Sequence, residues 1–364
     1  FGPVLSTSGM DQFWFQNQGN LKINTADSEA LEYNKALGRN FDVFEKHADA
    51  YGMGTYKVND KITILGGIRL SNTNTQVKGY NVINNTLIPV ENTKKYLAVL
   101  PMLHIKYALN DKINLRFAAT RTFSRPNFGD LTPGGTYSEA DNEFKGGNPN
   151  LNPTYSVNFD LMGEYYFSNV GILSGGVFYK SITDPIFQDS FIGNYNGING
   201  VQFTAPNNGK AASLSGIEMG INRRFDFLPG FLQYFGTQLN ATFMDSEMVK
   251  PGGRKVKLPY QAKELYNVQL FFEKKGFNAR LAYNYKGKYA VEYAEDDIND
   301  SYYGKYSSLD FGGSYQFTKH LMLYADVNNI LNKPLIYHFG KDETRPEQVE
   351  YYGVRCNLGI KLNF

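Results

Sequence analysis

The stretch 350-EYYGVRCNLGIKLNF-364 decides the fold. From Tyr352 onward one alternate set is Tyr352, Val354, Cys356, Leu358, Ile360, Leu362 and Phe364, and the other is Gly353, Arg355, Asn357, Gly359, Lys361 and Asn363. Successive side chains of a strand point to opposite sides, so this segment carries one wholly apolar face and one face that is polar or glycine. The apolar face runs to the terminal Phe364 with no charged tail after it, which suits a strand that closes a barrel in lipid.

Composition agrees. Aromatics make up 15% of 364 residues, almost all Tyr (27) and Phe (27), alongside 36 Gly and one Cys. Mean hydropathy is only -0.41, and no apolar run approaches the roughly 18 residues a spanning helix requires. A barrel spreads its lipid-facing residues over alternate positions, so a low average is what it shows. The lone Cys356 excludes an internal disulfide framework, and a net charge of +2 gives no reason to invoke nucleic acid.

The period-2 pattern sets in at Glu45 and recurs to the end, which divides the chain into residues 1–44, a loop or preceding-strand region, and residues 45–364, the barrel strands. Strands are expected over 61–73, 95–109, 111–123, 154–167, 170–183, 211–226, 231–246, 262–273, 276–290, 305–317 and 320–330, about thirteen in all with the first and last. In 154–167, Tyr155, Val157, Phe159, Leu161, Tyr165 and Phe167 oppose Asn158, Asp160 and Glu164. Mid-strand carboxylates need water or a partner, so their side is the lumen. The same reasoning places Arg69, His104, Lys106, Arg116, Glu218, Arg280, Asp310, Asp326, Arg355 and Lys361 on the lumen wall. Tyr and Phe gather toward strand ends, as interfacial girdles do.

Connections alternate between tight turns, such as Asn59-Asp60, Asn110-Asp111 and Lys274-Lys275, and long loops over 79–94, 124–153, 184–210, 247–261, 291–304 and 331–349. Such segregation is the polarity of an outer-membrane barrel, turns periplasmic and loops outside, and a soluble β-sandwich has no cause to show it. Bacterial single-chain barrels use even strand numbers, and the chain opens without an initiator Met or export signal. An upstream part is therefore expected.

Several blocks together resemble the C-terminal barrel half of TonB-dependent outer-membrane receptors. They are 121-RTFSRPNFGDLTP-133, 147-GNPNLNP-153, 176-GVFYK-180, 182-ITDPI-186 and 324-YADVNNILNKP-334. The resemblance implies an all-β, transmembrane antiparallel barrel of about 22 strands closed by an N-terminal plug, of which these would be the last thirteen. It also implies capture of a scarce nutrient (siderophore, corrinoid, oligosaccharide or peptide) and import driven by the TonB energy-coupling complex, which grips a segment ahead of the plug. Outer-membrane lipids, the barrel-assembly machinery and, in some receptors, a surface lipoprotein lid are the other implied partners.

Read physically, Arg121, Arg125 and Pro126 stand where a strand leaves the membrane: Pro stops ladder pairing and Arg can pin the loop to a carboxylate. Gly147, Asn148, Pro149 and Pro153 stiffen re-entry into the barrel. Asn328, Asn329 and Asn332 are turn formers. Tyr137, Phe144, Phe187, Phe191, Tyr195, Phe203, Tyr293, Tyr302 and Tyr303 stand in the long loops, where they either stack on a ligand or pack loop against loop.

In loop 291–304, Glu295, Asp297 and Asp300 head an oxygen-rich cluster that is a candidate for calcium. It lacks a D-x-D-x-D-G pattern, and the plainer reading is a solvated acidic loop. No other cofactor is expected. The four histidines lie far apart in the sequence, and neither a zinc motif nor G-x-S-x-G occurs, so no catalytic residue is assigned. An outer-membrane hydrolase pairing His104 with Asp160 or Glu164 is the distant alternative. A passive porin or a structural barrel subunit is the nearer one. Mixed charge on the lumen wall suits hydrogen bonding to a plug better than ion selectivity.

Overall fold

In a computed structural model, residues 40–83, 86–167, 171–294 and 296–363 are described, together with Gln12 and Gln16. The strands are β1 (Phe41–Lys57), β2 (Ile62–Ile83), β3 (Thr86–Asn110), β4 (Ile113–Ser124), β5 (Gly135–Ser138), β6 (Glu143–Gly146) and β7 (Thr154–Tyr166). Then come β8 (Gly171–Thr183), β9 (Ile186–Tyr195), β10 (Ile198–Asn208), β11 (Ala211–Arg224), β12 (Phe235–Val249), β13 (Lys255–Val256), β14 (Glu264–Lys274) and β15 (Phe277–Lys286). The last are β16 (Tyr289–Glu292), β17 (Ser301–Tyr303), β18 (Tyr306–Gln316), β19 (Leu321–Asn328), β20 (Leu335–Phe339), β21 (Pro346–Glu350) and β22 (Arg355–Leu362).

Thirteen strands, in the order β1-β2-β3-β4-β7-β8-β11-β12-β14-β15-β18-β19-β22, form one antiparallel wall, with β13 attached to β12. Its ends β1 and β22 do not pair with each other, so the wall is an open segment of a barrel. Alternation builds its two faces. Phe117, Leu161, Val177, Ile217 and Phe243 are register partners across five consecutive strands. Leu161, Val177 and Ile217 are each about half exposed, at 52, 50 and 51%. Water would penalise such a file at about 25 cal/mol per Å² of apolar surface, whereas lipid does not.

The opposite face carries the charge, and three ion pairs form on it within the wall. Arg116 Nε lies 2.8 Å from Glu164, Arg69 lies 2.7 Å from Asp49, and Arg280 lies 3.9 Å from Asp326. The last pair meets across an intervening strand because Gly312, register partner of both, has no side chain; a Cβ there would come within 2.9 Å of each partner. The turns at one end are built by local chemistry. Asn59 Oδ1 accepts from the amides of Lys61 and Ile62, and Asn110 Oδ1 accepts from those of Lys112 and Ile113. Lys275 and Gly276 both take positive φ (43° and 83°), as a two-residue hairpin turn demands.

At the other end the long connections fold into two small sheets, β5-β6-β10-β9 and β16-β17-β20-β21. Two corrections to the sequence reading follow. The stretch 79–94 is not a loop: β2 and β3 continue their ladder to Ile83–Thr86, so the hairpin stands well beyond its neighbours. The first strand begins at Phe41 rather than Glu45, because Phe41 to Phe44 already pair with residues 76–79. Phe364 and residues 168–169, where the sequence pattern expects another tight turn, lie outside the described residues.

Candidate functional site

The loop end carries two groups of rings. Tyr137, Phe144, Phe203 and Phe191 are register neighbours across the four strands of the first small sheet. Their rings follow that register: Phe144 lies 5.3 Å from Phe203, and Phe203 lies 5.2 Å from Phe191. Tyr195 closes the group, 5.0 Å from Tyr137 and 4.9 Å from Phe144. Loop-on-loop packing is therefore their first role, while Phe191, 47% exposed, still presents a face outward. In the second sheet Tyr303 stacks on Tyr289 at 5.1 Å and meets Tyr337 edge-on, and Lys286 stands 3.9 Å from the centre of the Tyr289 ring.

Phe187 and Tyr293 are corrections to the ligand-contact expectation. Both are buried in a small core with Ala212, Met248 and Ala290: Phe187 presents no exposed ring face, and Tyr293 reaches only the wall of the cavity described below. Lys250 is the polar counterpart of that core. Buried itself, it pairs with Asp189 at 2.8 Å and donates to the carbonyls of Tyr293 and Ala294. Nothing in the sequence marked Lys250, because its partners come from loops 61 and about 43 positions away; opposite charges in two long loops were the only signal.

The acidic loop does not gather its oxygens. Asp300 is almost wholly buried and accepts from both terminal nitrogens of Arg254, at 3.1 and 2.5 Å, and from the Ala294 amide at 3.1 Å. Asp297 instead faces Lys341 at 3.3 Å, and Glu295 lies outside the described residues. Among the described residues no three metal-ligating side chains converge, so the calcium expectation has no geometry behind it there. Burial pushes the Asp300 carboxyl above its ordinary range against the pull of Arg254. Beside the pair opens a cavity of about 430 Å³ lined by Arg254, Val256, Lys257, Tyr293, Asp297 and Tyr302. Behind Tyr302 its ring stacks on His338, which is fully buried with neither ring nitrogen hydrogen-bonded among the described residues.

The strap 124–153 folds against the polar face. β4 ends at Ser124, directly before Arg125-Pro126, as the missing Pro N–H requires. Arg125 does not pin the loop to a carboxylate: its guanidinium donates to the hydroxyls of Ser71 and Thr73 at 3.2 Å. Arg121 lies over the Tyr155 ring and donates to the Val99 carbonyl. Farther along, Lys94 Nζ donates to the carbonyls of Asn150 and Leu151, and Asn92 to that of Pro149. Asn148 donates its side-chain amide to the Pro206 carbonyl, tying the strap to β10, and Pro153 leads straight into β7. Leu131 and Leu151 bury against Val77. Gly147 is the tight point, since a Cβ there would meet the Thr132 carbonyl oxygen at 2.5 Å.

On the wall, Asp310 accepts from Asn284 and from the Asn329 amide, and Asn329 and Asn332 take positive φ (58° and 47°), consistent with turn formers. Arg355 is exposed on β22. His104 and Asp160 are both register partners of Ala118, which leaves them two strand spacings apart, about 10 Å. Glu164 is occupied by Arg116 and Tyr166. The hydrolase dyad does not form.

Comparison with known proteins follows this geometry. A family model described as "TonB dependent receptor-like, beta-barrel" matches residues 1–330. No curated protein matches the chain. Among solved structures, the ferric-catecholate import receptor Fiu from E. coli K12 superposes at a TM-score of 0.64 with 14% identity, covering 89% of this chain and 45% of its own. The copper transporter OprC gives 0.64 and 17%, covering 89% and 48%. The ferric yersiniabactin uptake receptor FyuA from Yersinia pestis gives 0.62 and 17%, covering 88% and 45%. At such identities the likeness is one of fold, and the chain spans about half the length of these structures.

Proposed function

Because the chain belongs to the TonB-dependent receptor β-barrel family, we propose that it forms the C-terminal barrel strands of an outer-membrane importer. The nutrient is bound at the loop end and passes through a plugged lumen, with energy supplied by the TonB complex. The reading is transport rather than catalysis. One observation carries it: the thirteen-strand wall is apolar outside and lined inside by charges of both signs, several of them paired with each other. That lining fits a polar protein filling the lumen better than a strong field for selecting free ions.

Metal chelates lead the list of nutrients, since the structures of like fold are named for ferric catecholate, ferric yersiniabactin and copper. Corrinoids, oligosaccharides and peptides remain in the class. The exposed edge of the aromatic file at Phe191 and the cavity beside Asp300 are the proposed contact surfaces.

Uptake of a panel of labelled ferric siderophores, corrinoids and oligosaccharides, in cells with and without the full-length gene, tests this reading. Gene-dependent uptake of one of them, abolished by an uncoupler of the proton gradient, is expected. Gene-dependent uptake that survives the uncoupler would establish a passive channel instead.

A further inference from the structure

The outward face ends, at the turn end of the wall, in a continuous file of rings. Phe231 meets Phe235 at 6.1 Å, Phe235 meets Phe272 at 4.9 Å, Phe272 meets Phe277 at 5.8 Å, Phe277 meets Tyr315 at 6.4 Å, and Tyr315 meets Phe317 at 4.6 Å. Phe235 and Phe272 are register partners across β12 and β14, Phe277 and Tyr315 are partners across β15 and β18, and the two pairs meet diagonally between Phe272 and Phe277, whose own partners are Ala279 and Lys274. This belt marks the depth at which lipid gives way to water on the turn side.

Arg223 sits in that belt. It follows Ile217, Met219 and Ile221 on the outward side of β11, where Ile217 and Met219 are about half exposed. Its guanidinium carbon lies 3.8 Å from the centre of the Phe167 ring and 4.5 Å from that of Phe227. The neighbouring Arg224 has Glu273 at 3.7 Å, but among the described residues no carboxylate pairs with Arg223. Ring contacts use the π-faces of Phe167 and Phe227 and accept no conventional hydrogen bond, so the planar fork of N–H donors keeps its capacity for an oxyanion. The turn beyond it presents exposed rings, Phe227 at 60% and Phe231 at 63%, on either side of which stand the exposed Asp226 and, 4.5 Å from the Tyr234 ring, Lys274.

A cation held at the lipid-facing surface, at interface depth, with no carboxylate paired to it among the described residues, is placed to take an anion from outside the chain. We propose that Arg223, between Phe167 and Phe227, binds the phosphate of a phospholipid headgroup in the periplasmic leaflet. The lipid's acyl chains lie along the apolar file above it, continuous with the belt. Charge complementarity and that continuity distinguish the occupant from a soluble anion, which would gain nothing from the exposed Phe227 and Phe231. The proposal rests on the membrane placement of the barrel.

The test is native mass spectrometry of the full-length receptor titrated with phosphatidylglycerol, comparing wild type with Arg223→Gln, Arg223→Lys and Phe227→Leu. Wild type retains phospholipid, and Arg223→Gln lowers the occupancy roughly tenfold, the value of one charge-assisted hydrogen bond. Arg223→Lys keeps charge without the planar fork, and Phe227→Leu keeps the apolar bulk without the ring; both fall between the two. Equal retention by wild type and Arg223→Gln overturns the site, as does complete displacement of lipid by inorganic phosphate. Heat-modifiable migration of each variant from lipid vesicles is read separately. If wild type itself fails to insert, the membrane placement has failed rather than the lipid site.

Discussion

Arg254 and Asp300 close the seam between two long loops: both carboxylate oxygens accept from one guanidinium, and the carboxylate is 1% exposed. Removing the cation strands a buried charge, which typically costs about 3–5 kcal/mol, whereas replacing both partners with apolar residues is close to neutral. Arg254→Ala is therefore expected to deprotect backbone amides over 289–303 in hydrogen exchange, and Arg254→Met with Asp300→Leu to restore most of the protection. Equal exchange in the single and double variants would show that the pair carries no such weight.

Acid should tighten the same region. Burial raises the pKa of Glu292 above its ordinary 4.5, and Glu143 and Glu347 push in the same direction. A raised folded-state value means that this group's contribution to stability is complete below about 4.5 and is lost as pH rises through the raised value. Asp300 has the same sign. Exchange of the 289–303 amides, corrected for intrinsic rate, should slow as pH falls from neutral toward 4.5, and Glu292→Gln should flatten most of that dependence. Slower exchange at the higher pH would reverse the sign.

Gly147→Ala forces a Cβ to within 2.5 Å of a backbone oxygen, so the strap 124–153 must shift. Overpacking of this kind costs about 1–3 kcal/mol. Limited proteolysis of the strap is expected to speed up about tenfold or more, with the barrel left heat-modifiable. An unchanged cleavage rate would mean that the strap gives way freely at Thr132.

The two faces of the wall differ in what they tolerate. Leu161→Arg puts a cation in lipid at a cost of about 2–4 kcal/mol near the midplane, whereas Asp160→Asn on the opposite face leaves a polar wall polar. Refolding titrations in lipid vesicles should separate the two by roughly that amount. Similar stabilities would argue against the assignment of faces.

How far the sequence carried these conclusions depended on range. Strand number, face and polarity follow from local alternation, so Leu161 and Asp160 declare their sides by parity alone. Turn chemistry is equally local: Asn59 and Asn110 act on amides two and three residues ahead. The extension of β2 and β3 through 79–94 was hidden because polar residues such as Lys78 and Glu91 look like loop while pairing outside the membrane. The loop site was the least legible part. Asp300 looks like one of several acidic residues until Arg254, 46 positions away, is placed against it. Phe187 and Tyr293 look like contact rings until their burial is seen.

The most direct test of the central claim, that these strands form the rear of a plugged, energy-coupled importer, is the intact mass and N-terminal sequence of the mature polypeptide recovered from outer membranes. The account predicts a chain tens of kilodaltons heavier than 41.1 kDa, carrying a plug and a coupling segment ahead of the strands described. A mature chain of 41.1 kDa would contradict active import by a single polypeptide and leave a split receptor or a structural barrel subunit in its place.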